Sequence, residues 1–271
     1  MKAVNSALLL LFVIAPAVVF AQAHELPTPA NMKVLGLVGG TSWHSTLEYY
    51  RYINQEVNDL YGGNTNPPLV LYNLNQSGIH ALQLSGRWDE VADILSEAAM
   101  KLRAAGAQAV MFCANTPHKV YADVSRRTGI PILHIADATG VAIHQAGLSK
   151  VGLIGTKYTM EDGFMQRWLL EHYQVQVVVP ASAAMRTELH RIIQKELSMG
   201  VFKPETKRYV LERIEELRKR GAQGIILGST EIPLIIDQSD VRIPVFDTTR
   251  LHSLMAVEFI LGRYVPRAPV K

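Results

Sequence analysis

The chain contains an internal repeat, and this feature limits its possible folds more than any other. Residues 33–39 read KVLGLVG and are echoed by KVGLIGT at residues 150–156. Residues 102–108 read LRAAGAQ and are echoed by LRKRGAQ at residues 217–223. An apolar segment and then a polar turn follow each echo, so the repeat indicates two similar halves. Counted from the glycines of the second echo, Cys113 falls opposite Gly228, one residue before Ser229.

Apolar strands and amphipathic helices alternate along the chain after residue 32. Buried strands are predicted at residues 34–38, 109–112, 151–154, 175–179 and 224–227. A helix is predicted at residues 89–103, with one apolar face formed by Val91, Leu95, Ala98 and Leu102. This alternation predicts an α/β fold of two pseudo-symmetric domains, each a parallel sheet flanked by helices. The domains are expected at residues 33–132 plus 247–271 and at residues 133–246, with the active site in the cleft between them.

The first 23 residues resemble an export signal. Lys2 precedes an apolar run, and small residues lead to a cleavage position after Ala23. This order of positive start, apolar stretch and small residues is typical of a secretory signal peptide. We therefore expect a periplasmic or secreted protein, with residues 24–32 as a linker and no membrane attachment after cleavage. Met32 is an alternative start, because it lies just before the first strand.

Composition excludes some partners. The net charge of +3 is small and scattered, which argues against nucleic-acid binding. The five histidines from His44 to His144 show no metal-ligand spacing, so no metal site is expected. Cys113 is the single cysteine. A lone cysteine in an exported protein is either a buried structural residue or a reactive thiol, and both interpretations stay open on spacing alone.

Polar turns follow the predicted strands, where open parallel sheets bind their ligands. These turns contain Thr41 and Ser42, residues 113–116, Thr156, and residues 229–231. Hydroxyl and amide groups at the start of a helix suit the binding of a carboxylate. A thiol in the same place has a lowered pKa and can act as a nucleophile or a proton-transfer base.

At these turns the sequence resembles the aspartate/glutamate racemases of the Asp/Glu/hydantoin racemase superfamily, and especially the broad-specificity amino-acid racemases. The similar segments are GGTSW at 39–43, CANTPHK at 113–119, LHIADAT at 133–139, GTKYTME at 155–161, GSTEIP at 228–233 and PVFDT at 244–248. They occur in order and span nearly the whole chain after residue 32.

The resemblance implies two facing domains, no cofactor, a small amino-acid substrate, and two cysteines on opposite sides of the substrate α-carbon. One thiolate removes the α-proton, and the other thiol returns a proton on the far face. The first family cysteine falls on Cys113, and the second falls on Ser229, where the chain departs from the pattern. A serine hydroxyl is a weaker acid than a thiol, so it needs a partner such as Glu231 to move a proton. The substrate-binding residues implied are Thr41, Ser42, Asn75, Gln76, Ala114, Asn115, Thr116, Ser198, Thr230 and Glu231.

Three functions are compatible with these residues and with the resemblance. The first is a cofactor-independent amino-acid racemase of the aspartate/glutamate type, and the resemblance leaves a homodimer open. The second is a one-thiol decarboxylase or isomerase of the same superfamily. The third is a non-catalytic periplasmic amino-acid binding protein. Hydrogen exchange at the substrate α-carbon separates them, because a binding protein gives none.

Overall fold

The computed structural model describes residue 28 and residues 31–268. The predicted signal peptide and most of the predicted linker lie outside these residues. Within the described part of the chain, no helix is both long and apolar enough to cross a lipid bilayer.

The first sheet contains four parallel strands in the order β2-β1-β3-β4. Its strands are β1 (Leu35–Gly39), β2 (Leu69–Asn73), β3 (Ala109–Phe112) and β4 (Ile132–Leu133). The helices between them are α1 (Trp43–Tyr61), α2 (Gln76–Leu84), α3 (Trp88–Ala104) and α4 (Tyr121–Thr128). The four apolar residues predicted for one face of α3 are all buried, which confirms that amphipathic pattern.

The second sheet repeats this plan with parallel strands in the order β6-β5-β7-β8. Its strands are β5 (Lys150–Gly155), β6 (Gln176–Val178), β7 (Ile225–Gly228) and β8 (Val245–Asp247). The remaining helices are α5 (Ile135–Gln145), α6 (Lys157–Glu161), α7 (Phe164–Tyr173), α8 (Ala183–Lys195), α9 (Pro204–Lys219) and α10 (Thr248–Ile260). Two parallel sheets flanked by helices are therefore confirmed as the architecture.

Two helices cross between the halves. α5 follows the last strand of the first sheet but packs into the apolar cluster beneath β5 of the second. α10 follows the last strand of the second sheet but packs on the first, against β1 and β3. Strand pairing puts Leu133 in the first sheet and Asp247 in the second. Each lies one residue from the boundary expected from the sequence.

Leu102 and Leu217, the first residues of the second echoed segment, make the same packing contact in both halves. A Cβ added to Gly36 would lie 3.0 Å from Cβ of Leu102, and one added to Gly152 would lie 3.0 Å from Cδ1 of Leu217. The central strands, β1 and β5, thus each carry a glycine at the point where the echoed leucine of a helix packs against the strand. The repeat reflects a shared requirement for close contact between helix and strand.

The echoed glutamine also accepts hydrogen bonds from the backbone in both halves. Oε1 of Gln108 accepts a hydrogen bond from the Val34 N–H at 3.1 Å. Oε1 of Gln223 accepts from the Ser149 and Lys150 N–H groups at 3.0 and 3.1 Å. In both halves this side chain satisfies the backbone where the central strand begins, so the Gly-Ala-Gln motif is structural.

Candidate active site

A small cavity of about 40 Å³ lies at the carboxyl ends of the central strands and is lined by residues of both halves. The first half contributes Thr41, His80, Gln83, Ala114, Asn115, Thr116 and Pro117. The second half contributes Thr156, Ile193, Gln194, Ser198, Gly228, Ser229, Thr230 and Glu231. The cavity therefore lies where the topology of two facing parallel sheets puts a ligand.

Eight of the residues expected at the site from the sequence line this cavity. They are Thr41, Ala114, Asn115, Thr116, Ser198, Ser229, Thr230 and Glu231. Four others do not line it, namely Ser42, Asn75, Gln76 and Cys113.

Helix capping explains the placement of three of these four residues. The Ser42 side chain caps α1 and accepts a hydrogen bond from the Ser45 N–H at 3.4 Å. The Asn75 side chain caps α2, accepting from the Ser77 N–H at 3.1 Å, and Gln76 is the first residue of that helix. These three residues form helix starts and do not line the cavity, so their part in substrate binding stays a prediction.

Cys113 lies in the apolar core and not at the cavity. Its side chain packs in the same cluster as Met111, Leu37 and Tyr49, while Phe112 packs on the opposite face of the sheet. This follows the alternation of side chains along a strand. The thiol is wholly buried, and this burial raises its pKa. The placement differs from the sequence-based expectation of a thiol facing the substrate.

Strand register shows which residue of the first half corresponds to Ser229. Phe112 pairs with Val38 in the first sheet, and Leu227 pairs with Ile154 in the second. Counting one and two residues onward, Cys113 corresponds to Gly228, and Ala114 corresponds to Ser229. Both Ala114 and Ser229 line the cavity. A methyl group thus occupies the first-half position that matches the second-half hydroxyl.

Ser229 is paired with a carboxylate. Its hydroxyl donates to Oε2 of Glu231 at 2.6 Å, and the Thr230 hydroxyl lies 3.3 Å from the same oxygen. All three residues are buried. Short hydrogen bonds from a hydroxyl to a carboxylate are the strong kind, so the pair can pass a proton between its oxygens.

Two buried polar atoms at the cavity have no hydrogen-bond partner among the described residues. They are Oγ1 of Thr41 and Oδ1 of Asn115. The orientation of the Asn115 amide is fixed, because its Nδ2 donates to Oγ1 of Thr248 at 2.9 Å, and that hydroxyl donates to the Leu227 carbonyl at 2.8 Å. A polar ligand in the cavity can supply the partners that this buried acceptor and this buried hydroxyl lack.

A neutral histidine supports the loop at Ala114. Nε2 of His118 accepts from the Ile135 N–H at 3.2 Å, so Nδ1 carries the hydrogen and donates to the Ala114 carbonyl at 3.0 Å. Burial lowers the pKa of His118 to about 4. The ring therefore positions the loop as a neutral group.

Hydroxyl pairs join the two halves beside the cavity. Oγ1 of Thr116 lies 3.0 Å from Oγ1 of Thr156. The Thr230 hydroxyl donates to Oγ of Ser45 at 2.7 Å. Neutral hydrogen bonds of this kind contribute about 1 kcal/mol each.

Several cavity residues were missed from the sequence. His80 and Gln83 come from α2, and Ile193 and Gln194 come from the end of α8. α2 and α8 each follow the second strand of their half. Their equivalent positions in the repeat could have indicated that both helices reach the cavity. Among the described residues, no cluster of His, Cys, Asp or Glu could hold a metal ion.

Comparison with known proteins decides the family. The sequence model of the Asp/Glu/Hydantoin racemase family matches residues 38–256. The chain belongs to this family. At this level it is an amino-acid racemase, which is a type of isomerase.

Solved structures and a curated relative agree with this assignment. A candidate Asp/Glu racemase of Yersinia pestis is 43% identical, with a TM-score of 0.78 over 85% of this chain and 100% of that one. An aspartate racemase homologue of Pyrococcus horikoshii is 38% identical, with a TM-score of 0.72 over 84% and 99%. A broad specificity amino-acid racemase of Bacillus subtilis is 22% identical over 229 residues, 80% of this chain and 93% of its own.

Proposed function

We propose that this member of the Asp/Glu/hydantoin racemase family is a cofactor-independent racemase of a small amino acid, with Ser229 and Glu231 as one of its proton carriers. The hydrogen bond of 2.6 Å between these side chains, inside the cavity shared by both halves, carries the proposal. Aspartate and glutamate are the first candidate substrates, because similar proteins bear those names.

The unpartnered cavity atoms suit the two ends of an amino acid. Oδ1 of Asn115 can only accept, so it fits the substrate ammonium group. Oγ1 of Thr41 can donate its hydrogen to the substrate carboxylate. These two contacts would hold the α-carbon between them, in the cavity that Ser229 also lines.

The proton step uses both members of the pair. Ser229 Oγ takes the α-proton as its own hydrogen passes to Oε2 of Glu231. The electron pair of the broken C–H bond stays on the substrate and spreads into its carboxylate. Proton return runs the same path backwards. Glu231 is needed because an adjacent base is what makes a serine oxygen reactive.

Hydrogen exchange tests the proposal. The protein is incubated in D₂O with each enantiomer of aspartate and glutamate, and deuterium at the α-carbon is followed by mass spectrometry. We expect exchange with the wild-type protein and a loss of about 10²- to 10⁴-fold in Ser229→Ala and in Glu231→Gln. Cys113→Ala is the matched control and should retain exchange, since its thiol lies in the core.

Two other outcomes would contradict this proposal. If Cys113→Ala stays folded but loses exchange, the thiol assignment made from the sequence is restored and the Ser229–Glu231 proposal fails. The non-catalytic binding protein is the second candidate, favoured by the placement of the chain's single thiol away from the cavity. Binding measured by calorimetry without exchange in D₂O would establish that function instead.

A further inference from the structure

Two residues among those that line the cavity carry ionisable side chains, and they come from different halves. Glu231 lies in the loop after β7, and His80 lies on α2. Resting on the proposed function, we propose that His80 is the second proton carrier of the reaction, acting from the first half on the face of the α-carbon opposite Ser229.

The position equivalent to Ser229 cannot serve as this carrier. Ala114 occupies it, and a methyl group neither accepts nor donates a proton. A racemase nevertheless needs a group on each face of the α-carbon, one to remove the proton and one to supply it. The described part of the first half offers one ionisable group at the cavity, the imidazole of His80.

The fold holds His80 in a defined place. Asn75 caps the start of α2, and the buried side chain of Ile79 anchors the helix in the core. The C-terminal end of α2 is tied to the second half, because the Tyr158 hydroxyl donates to the Gln83 carbonyl at 3.2 Å. The Thr41 backbone beside the ring raises the pKa of His80. An imidazole that lines the cavity can accept or donate a proton there.

The charges around His80 suit a group that changes protonation state in each turnover. Burial lowers the pKa of His80, Glu231 raises it, and Lys195 lowers it. His190 on α8 is a further titratable neighbour, and its own pKa is lowered in part by His80. The neutral imidazole is thus available as a base, and Glu231 stabilises the imidazolium that forms.

One proton shared by the two carriers completes the reaction. In one direction, the α-proton passes to Ser229 as the serine hydrogen moves to Glu231, and imidazolium at His80 gives its N–H hydrogen to the opposite face of the carbon. In the other direction, neutral His80 removes the α-proton, and protonated Glu231 returns one through Ser229. Each direction ends with the carriers in the state that the opposite enantiomer requires.

The experiment compares His80→Gln with His190→Gln, which removes a neighbouring imidazole that does not line the cavity. Each enantiomer of aspartate and glutamate is incubated in D₂O with the wild-type protein and both variants. Deuterium incorporation and chirality are measured together, so that exchange with retention and exchange with inversion are counted separately.

We expect the wild-type protein and His190→Gln to exchange and invert both enantiomers. In His80→Gln, inversion should fall by about 10²-fold or more, while one enantiomer still exchanges with retention through Ser229. Added imidazole should restore part of the inversion. These results require His80 to move a proton, because a residue that only shapes the cavity would not be replaced by free imidazole.

Two results would overturn the inference. If His80→Gln raises KM but inverts substrate with unchanged kcat, the residue binds substrate without carrying a proton, and the proposed function stands. If the wild-type protein exchanges no α-proton, the proposed function fails and this inference fails with it.

Discussion

The two halves of the molecule share a scaffold but differ at the ends of corresponding strands. Both place a glycine under the echoed leucine, and both use the echoed glutamine to bind the start of the central strand. At the carboxyl ends, the first half has Ala114 where the second has Ser229. The two halves share the contacts that build their sheets, but they differ in the groups that line the cavity.

The largest expected effect comes from giving both corresponding positions the same chemistry. A variant with Ala114→Cys and Ser229→Cys puts a thiol at each of two equivalent cavity positions. Because a thiol has a reference pKa of about 8.5 and a serine hydroxyl is a far weaker acid, we expect racemisation to rise by about 10²-fold or more under reducing conditions. Chiral chromatography of aspartate and glutamate measures this rise.

The single variant Ser229→Cys serves as the control for that comparison. Ser229→Cys alone leaves Ala114 in the first half, so it should gain less than the double variant. Equal rates in the two variants would contradict the equivalence of Ala114 and Ser229 that strand register indicates.

The two halves also differ in the burial of their histidines, and this difference predicts how the stability of the folded protein changes in acid. His118, His134 and His252 are buried around the first sheet, whereas His144 and His172 of the second half are exposed. Burial lowers the pKa of His118 to about 4 and lowers the pKa of the other two buried rings. In acid, the unfolded chain therefore binds more protons at these sites than the folded chain does.

The sign of the effect follows from that proton count. Stability rises with pH where the unfolded state binds more protons, so the histidine contribution is complete above the reference pKa of about 6.5. It is lost as the pH falls from there to about 4, by about 3 kcal/mol for His118 alone. Urea unfolding across this range measures the loss. His118→Gln should flatten the pH dependence, because it removes a buried group whose pKa is lowered to about 4.

The smallest effect concerns the echoed glutamines. Gln223 accepts two backbone hydrogen bonds and Gln108 accepts one. At about 1 kcal/mol for each bond, Gln223→Ala should lower the free energy of unfolding more than Gln108→Ala does. Urea unfolding of the two variants measures the difference. Equal losses would show that the second bond at Gln223 adds nothing.

Much of the fold could be predicted because the sequence repeats the features that build it. The apolar strands and the amphipathic face of α3 follow directly from hydrophobic spacing. β4 and β8, with two and three residues, are too short to form such a pattern, and the partner of each strand depends on contacts far along the chain. The predicted domain boundaries, near residues 133 and 247, fall in these short strands and stay predictions.

Most of the predicted residues that line the cavity follow a strand, and Ser198, which follows α8, was expected from the family resemblance alone. Residues 114–116 and 229–231 continue directly from β3 and β7, so the end of each strand locates them. The sequence does not show on which side of the sheet a side chain points, and this decided that Cys113 enters the core while Ala114 reaches the cavity. His80 lies five residues beyond the cap of α2, and its approach to the cavity depends on how that helix packs.

The hydroxyl pairs that join the two halves beside the cavity have a consequence for how a substrate enters. The cavity of about 40 Å³ is lined by residues of both halves. The hydroxyl pairs at Thr116 and Thr230 open at little cost, because water replaces the partner that each one loses. If parting of the halves admits the substrate, kcat should fall as the viscosity of the solvent rises. A kcat that is independent of viscosity would show that the halves need not part.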